Sequence, residues 1–222
     1  KNKKKTMLSH YTGVKNICSH LTKEKLKLFV QIGSGLEYGK NTSPQIEIKK
    51  CFPISSYAKS KYFGSKHLLN LHKSSQFPCV IVRAYQVYGP RQDNNRLIPF
   101  VINECLKEES FPCSNGEQFR DFIYIDDFVI FLKKILANKN KCKGQIFNIG
   151  VGKSFNIKNI INSIKDKIKK GNPKFGLIKL RKEESQNVFP NINKAKRMLN
   201  WKPKVSLDQG LSKTINYYRK FI

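Results

Sequence analysis

The sequence has few acidic residues for its length. Its 222 residues include 15 Asp and Glu against 43 Lys and Arg, which gives a formal net charge of +28. Such an excess of positive charge attracts polyanions. Most of these residues, however, are lysines scattered over every segment, and only the runs at 1–5 and 165–170 are clustered. No RNP-type, zinc-finger or basic-zipper motif accompanies them, so the pattern indicates a solvated surface rather than specific nucleic-acid binding.

Long apolar runs and clustered cysteines are also lacking. No apolar segment is long enough to cross a bilayer, and the basic start is not followed by the apolar stretch of a signal peptide. We therefore expect a cytoplasmic protein without a membrane partner. The six cysteines are widely spaced, with no C-x-x-C and no histidine at metal-ligand spacing, which predicts free thiols and no metal site.

What the sequence does contain is an alternation of strands and helices. Near-continuous apolar runs, typical of buried parallel strands, lie at 25–33, 79–89 and 145–150. The stretch 56–74 is predicted to be a helix opened by Ser55 or Ser56, and 157–168 a helix with isoleucines on one face. Further strands are predicted at 120–125 and 175–180. Further helices are predicted at 7–21, from the end of the loop "GPRQDNNRLIP" to about residue 107, and at 126–138, 191–200 and 206–222. This order predicts an α/β fold with a parallel sheet.

Tyr57 and Lys61 are the first candidates for chemistry. They are four residues apart in the predicted helix 56–74 and therefore lie on one face. A free tyrosine has a pKa of about 10, and a neighbouring ammonium stabilises the phenolate and lowers that pKa. Such a tyrosine can pass a proton to or from a sugar or alcohol oxygen while hydride moves at the carbon. Taken alone, the Y-x-x-x-K spacing is weak evidence, because it arises by chance in a lysine-rich chain.

Several segments, taken in order, give this spacing a context. They are "FVQIGSGLEYG", "FPISSYAKSK", "VRAYQVYGPRQDNNRLIP", "RDFIYIDDFV", "FNIGVGKSFNI" and "NINKAKRMLNWKPKVSLDQGL". Together they resemble the extended short-chain dehydrogenase/reductase family of NAD-dependent nucleotide-sugar epimerases, dehydratases and reductases. The resemblance implies that 1–92 form part of a Rossmann-like NAD(P)-binding domain with a parallel sheet. It also implies that 93–222 are mainly a smaller C-terminal substrate-binding domain, with about 140–165 returning to the first.

The resemblance assigns catalytic and cofactor roles. It implies that Tyr57 is the general acid/base and that Lys61 bonds the nicotinamide ribose and lowers the tyrosine pKa. Ser34, four residues before the Tyr-Gly pair, matches the family's Ser/Thr, whose hydroxyl bonds the reacting sugar oxygen. NAD or NADP would also contact the backbone around Ala84 and Tyr85.

The resemblance implies a nucleotide-diphosphate sugar as the substrate. Arg120 matches a phosphate- or ribose-binding arginine, and Arg181 with Glu184 matches an arginine-x-x-acid pair for phosphate and ribose. An arginine fork suits a diphosphate because it donates two parallel hydrogen bonds. Gln86 occupies a place where many members have asparagine, and Arg96 lies in the substrate loop, where a surface salt bridge is the competing interpretation. Family members are commonly dimers, so a homodimer is expected of the complete protein.

Two groups of ionisable residues are assigned no catalytic role. Asp126 and Asp127 are predicted to be an acidic turn that opens a helix. The histidines match no catalytic position and are interpreted as structural or surface residues; they are His10, His20, His67 and His72.

The family's Gly-rich dinucleotide turn is not found in this sequence. The segment "IGSGLEYG" has glycines, but at another spacing, and no helical pattern follows at once. We therefore expect the first strands of the fold to lie outside this sequence and the chain alone to bind NAD very weakly. An inactive fragment stays an alternative, as does a basic nucleic-acid-binding module.

The two residues that directly follow Ser34 indicate which reaction the site could catalyse. The family's 4,6-dehydratases place an Asp-Glu pair there, whereas this sequence has Gly35 and Leu36, which carry no protons. We therefore do not expect 4,6-dehydration. NAD(P)-dependent reduction of a 4-keto-6-deoxy sugar nucleotide is the first expectation, and 4-epimerisation of a nucleotide sugar is the alternative.

Overall fold

The computed structural model of the chain describes residues 3–180 and 185–221. The strands, in chain order, are β1 (Phe29–Ser34), β2 (Cys79–Ala84), β3 (Gln86–Tyr88), β4 (Ser110–Pro112), β5 (Phe119–Arg120), β6 (Phe122–Tyr124), β7 (Gln145–Ile149), β8 (Phe155–Asn156), β9 (Asn172–Lys174) and β10 (Asn187–Val188). The α-helices are α1 (Lys3–Met7), α2 (Gly13–His20), α3 (Ser56–Ser75), α4 (Leu97–Leu106), α5 (Ile125–Ala137), α6 (Lys139–Cys142), α7 (Ile157–Ile168), α8 (Asn193–Leu199) and α9 (Leu207–Tyr218). A π-helical turn (Leu8–Thr12) joins α1 to α2, and 3-10 turns follow β1 (Gly35–Tyr38) and α9 (Arg219–Phe221).

A parallel sheet with the order β1-β2-β7 lies at the centre of the fold. Residues 79–83 of β2 are all buried, because helices cover both faces of the sheet. A strand that is buried on both faces has a nearly continuous apolar sequence, which is why β2 could be predicted from the sequence. The predicted α/β class with a parallel sheet is confirmed.

The two faces of this sheet pack against different helices. On one face, Ile81 of β2 lies in a buried cluster with Val14 of α2 and Leu68 of α3. On the other face, Val82 of β2 packs in a cluster that includes Phe131 of α5. Helix α3, which carries the Tyr57–Lys61 spacing, is thereby fixed across the sheet.

A further buried cluster forms where α4, α7 and α9 meet. The isoleucines of α7 that the sequence placed on one face are all buried in it; they are Ile157, Ile160, Ile161, Ile164 and Ile168. The predicted helix 157–168 is confirmed in its bounds as well as its buried face. β7 belongs to the central sheet, whereas α7 belongs to this third cluster. The division into 1–92 and 93–222 stays a prediction.

Three predicted strands differ from the observed ones. The run 79–89 is split at Tyr85 into β2 and β3, because β3 leaves the central sheet to pair with β6. The run 120–125 is split at Asp121, because β5 pairs instead with β10 and β8. The strand predicted at 175–180 is wrong: Gly176, with a φ of +86°, turns the chain there, and the strand is β9, paired with β4.

All six cysteines are free thiols, five of them buried and Cys51 half-buried. Within residues 3–180 and 185–221, no helix has both the length and the apolar character needed to cross a bilayer.

Candidate active site

Ser34 is placed by the turn that ends β1. It is the N-cap of the 3-10 turn at 35–38, and its Oγ accepts the backbone N–H of Leu36 at 3.2 Å. Only 7% of the residue is exposed. Because its Oγ already accepts one bond, the hydroxyl proton is left to donate, and the hydroxyl lies near enough to Tyr57 to lower the pKa of that phenol.

Tyr57 and Lys61 are placed by the start of α3. Ser55 caps this helix by accepting the N–H of Ala58 at 3.1 Å, so Tyr57 lies in the first turn and Lys61 in the next. The Lys61 ammonium stands over the Tyr57 ring, 5.8 Å from its centroid, and donates to the Ile32 carbonyl at 2.9 Å. The structure thus brings the three predicted catalytic side chains together, from the end of β1 and the first two turns of α3.

The electrostatics of Tyr57 differ from the expectation. Although 38% of the residue is exposed, the partial burial of the phenol raises its pKa above the usual value, and the Glu37 carboxylate raises it further, while the Arg96 charge and the nearby Ser34 hydroxyl lower it. The pKa of Tyr57 therefore shifts in the direction opposite to the one expected from Lys61: the ammonium faces the ring, and the cation that lowers the pKa is Arg96. Burial in turn lowers the pKa of Lys61, and the charge of Glu37 opposes that shift.

A cavity of about 500 Å³ opens beside this cluster. At one end Gly35, Leu36 and Ala58 line it, next to Ser34 and Tyr57 in the chain. Three of the predicted substrate residues also line it, namely Gln86, Arg96 and Arg120. The other two, Arg181 and Glu184, lie outside the described residues.

The two arginines of the cavity have different surroundings. Arg96 is exposed, directly precedes α4, and its charge reaches Tyr57. Arg120 is half-buried and donates through Nη1 to the carbonyls of Phe119 and Gln186, at 2.7 and 3.3 Å. Together they give the cavity a cationic lining, which suits the oxygens of a diphosphate.

Two buried amide oxygens also belong to the cavity lining. Gln92 Oε1 and Gln118 Oε1 have no hydrogen-bond partner among residues 3–180 and 185–221. A buried acceptor without a partner is costly, so both positions fit a ligand that brings hydroxyl or N–H donors. The sequence offered no signal for either residue.

The cofactor contact predicted for the backbone around Ala84 and Tyr85 stays a prediction. The Tyr85 N–H donates to the Ile149 carbonyl and its carbonyl accepts from Val87, so this backbone is engaged within the protein. The Tyr85 ring instead covers Gly35, and its hydroxyl donates to Gln45 Oε1 at 2.6 Å.

His10 stands beside Tyr57, although the sequence assigned it no place in the site. Its ring meets the Tyr57 ring edge-on, with centroids 5.3 Å apart. Burial and the charge of Lys61 lower the pKa of His10. It lies in the π-helical turn at 8–12, and such turns occur often at functional sites.

The acidic turn at Asp126 and Asp127 has structural partners. Asp127 is buried and accepts the backbone N–H groups of Lys204 and Val205, at 3.0 and 2.9 Å. Asp126 forms an exposed ion pair with Lys213 at 3.7 Å. The prediction that these residues open a helix is confirmed, since both lie in the first turn of α5.

The chain matches a known protein family over more than half of its length. The NAD dependent epimerase/dehydratase family matches residues 1–150. The chain belongs to this family. The chain is similar to a putative UDP-glucose 4-epimerase of Methanocaldococcus jannaschii, which is 30% identical over 93% of this chain and 68% of its own length. A CDP-abequose synthase of Salmonella muenchen is 30% identical over 72% of this chain and 56% of its own length.

Solved structures of the family share the fold. A UDP-glucuronic acid 4-epimerase from Bacillus cereus, solved with UDP-glucuronic acid and NAD, matches with a TM-score of 0.84 and 30% identity over 93% of this chain and 65% of that chain. Proteins named dTDP-D-glucose 4,6-dehydratase are also among the relatives. The chain spans between 56 and 68% of the length of the relatives described.

Proposed function

We propose that the chain carries the substrate side of an NAD(P)-dependent oxidoreductase that acts on a nucleotide-diphosphate sugar. One observation carries the proposal: Ser34, Tyr57 and Lys61 converge beside a cavity lined by Arg96 and Arg120. Acid/base chemistry at a sugar oxygen needs the first three groups, and a diphosphate needs cationic donors nearby.

The residues of this chain have separate tasks in that reaction. The Ser34 hydroxyl holds the reacting oxygen against Tyr57, whose phenol gives or takes the proton. Lys61 has three N–H donors and uses one on Ile32 among the described residues, which leaves donors for ribose hydroxyls. When bound, NAD(P) supplies or accepts the hydride at the sugar carbon.

Reduction of a 4-keto-6-deoxy sugar nucleotide is the reaction that we propose first. Tyr57, whose pKa lies above the usual value of about 10, is protonated at neutral pH, and the protonated phenol is the form that donates a proton to a keto oxygen. Elimination of water would need further acid and base groups next to Ser34. Gly35 and Leu36 supply none, and the Tyr85 ring fills the space that a side chain at position 35 would take.

Epimerisation at C4 of a nucleotide sugar is the second candidate. It is favoured by the names of relatives that match most of this chain, a putative UDP-glucose 4-epimerase and a UDP-glucuronate 4-epimerase. The same three side chains would serve it, with Tyr57 first accepting a proton and later returning it.

Nucleotide binding tests the cavity directly. Isothermal titration of the chain with UDP, dTDP, CDP and GDP should detect binding of at least one, and Arg120→Met should weaken it about tenfold or more, since it removes a charge-assisted donor. Arg219→Met is the matched control, because Arg219 is exposed and donates to the Lys167 carbonyl outside the cavity. Binding of none of the four nucleotides would contradict the proposal, and so would equal weakening by both variants.

Turnover separates the two reactions. A reductase consumes NADH or NADPH in step with a 4-keto sugar nucleotide, whereas an epimerase returns its cofactor unchanged. In either case Tyr57→Phe should lower the rate by about 100-fold or more, because the proton donor is lost. Salt-sensitive binding of DNA or RNA without any nucleotide-sugar binding would favour the nucleic-acid alternative instead.

A further inference from the structure

A buried carboxylate, that of Glu37, lies against the turn formed by Ser34 and the 3-10 residues 35–38, which we call the Ser34 turn. Glu37 is completely buried, and both of its oxygens accept hydrogen bonds. Oε1 accepts the backbone N–H of Ser34 at 2.9 Å and the Ser65 hydroxyl at 3.2 Å. Oε2 accepts Nε of Arg83 at 3.0 Å, in an ion pair that is almost fully buried. A charge in such a place is tolerated only with well-formed partners, and this one has three.

The neighbouring residues are shaped to this carboxylate. An added Cβ at Gly33 would overlap Glu37 Oε1, so the carboxylate occupies the space of a side chain at position 33. Arg83, whose guanidinium carbon lies 4.4 Å from the centroid of the Tyr38 ring, is held from its other side. Gly33 and Arg83 thus both bound the place of the Glu37 carboxylate, and the Ser34 N–H is bonded to it there.

Glu37 also connects the Ser34 turn to α3. Ser65 lies four residues after Lys61 and eight after Tyr57, so all three face the same side of that helix. The bonds from one carboxylate oxygen to Ser34 and to Ser65 thus span the two elements that carry the candidate catalytic side chains.

We propose that Glu37 is a positioning residue of the site: its carboxylate fixes the Ser34 turn against α3 and so sets where the Ser34 hydroxyl lies relative to Tyr57 and Lys61. The catalytic meaning of this role rests on the proposed function. The geometric role does not, since it concerns contacts within this chain alone.

The charge of Glu37 provides a readout that packing alone would not change. Lys61 interacts electrostatically with Glu37 of the 3-10 turn and with His10 of the π-helical turn. On its own helix, its ammonium stands over the Tyr57 ring. The carboxylate raises the pKa of Lys61 against the effect of burial. Removing the charge while keeping the shape should therefore lower that pKa further.

The test compares Glu37→Gln with Glu109→Gln, an exposed glutamate on the surface. The pKa of Lys61 is measured on the full chain by NMR titration of ¹³C-labelled lysine, and the signal is assigned by its loss in Lys61→Met. In Glu37→Gln it should fall relative to wild type, since a unit charge nearby is lost. In Glu109→Gln it should not move. An unchanged pKa of Lys61 in a folded Glu37→Gln protein would overturn the proposal.

Glu37→Gln leaves the buried Arg83 without its carboxylate partner, and the variant could fail to fold for that reason. In that case a second variant tests the proposal. Ser65→Ala keeps the ion pair and removes only the bond to α3. Amide hydrogen exchange at Ser34 should then become about tenfold faster or more, because the turn is less firmly held. Exchange at the wild-type rate would overturn the positioning role. Failure of the wild type to bind any of the four nucleotides, with both of these effects present, counts against the proposed function and not against Glu37.

Discussion

Replacing Gly35 by alanine is predicted to destabilise the protein through one side-chain overlap. A Cβ at Gly35 would lie 2.7, 2.8 and 3.0 Å from three atoms of the Tyr85 ring, closer than such atoms normally approach. The ring cannot easily retreat, because its hydroxyl donates to Gln45 Oε1 at 2.6 Å. Gln45 is itself only 1% exposed and is fixed through its backbone to Phe189 and Asn191.

The size of the effect follows from this geometry. Forcing an extra carbon into a well-packed site costs about 1 to 3 kcal/mol. Gly35 does not have a positive φ, so alanine brings no backbone strain and the overlap is the main destabilising change. At about 2 to 4 °C for each kcal/mol in a protein of this size, the melting temperature should fall by roughly 2 to 12 °C.

A double-mutant cycle with Tyr85→Leu isolates the overlap. Urea unfolding followed by circular dichroism gives the free energy of unfolding of each variant. Without the ring, Gly35→Ala should cost less than about 0.5 kcal/mol, so the two changes should be coupled by about 1 kcal/mol or more. Tyr85→Phe is the intermediate case, because it keeps the ring and removes only the hydroxyl that anchors it, so that Gly35→Ala should cost less than in wild type and more than in the Tyr85→Leu background. Equal costs of Gly35→Ala in all backgrounds would refute the reasoning.

Two further predictions concern buried turns. Gly39 has a φ of +60°, and an added Cβ would overlap a backbone carbonyl. Gly39→Ala should therefore lower the free energy of unfolding by about 3 kcal/mol or more. Gly176 also has a positive φ but more open surroundings, so Gly176→Ala should cost only about 1 kcal/mol. Asp121 accepts the backbone N–H groups of 151–153. Asp121→Asn turns one of its oxygens into a donor and should cost about 2 to 4 kcal/mol, whereas the exposed Asp126→Asn should cost less than about 1 kcal/mol. Urea unfolding at pH 7 measures all four variants, and similar costs within either pair would contradict the corresponding argument.

Elements whose pattern is local could be predicted from the sequence. Helix 157–168 was found with its bounds, because its isoleucines repeat with the period of a helix and its core face follows from that repeat alone. The breaks at Tyr85 and Asp121 could not be found in this way. Each occurs where a strand changes its partner, and the partners, β6 for β3 and β10 for β5, lie far along the chain.

The candidate site was predictable in its residues more than in its electrostatics. Tyr57 and Lys61 share a helix, so their proximity follows from spacing. The capping-box pattern Ser34-x-x-Glu37 was also present in the sequence and could have marked the turn at the end of β1. That Arg83 pairs with Glu37, 46 positions away, depends on the packing of β2 beside β1 and leaves no local signal.

The shift in the Tyr57 pKa is an example of electrostatics that the sequence did not predict. Sequence spacing put one ammonium near the phenol and so predicted a lowered pKa. The fold adds burial, which raises it, and places Glu37 beneath the site and Arg96 at the cavity, with opposite effects. Because Arg96 lines the cavity in which a diphosphate is proposed to bind, an anion there would offset the cation that lowers the pKa. Occupancy of the cavity should then hold Tyr57 still more firmly in its protonated form, which is the form that a reduction uses first.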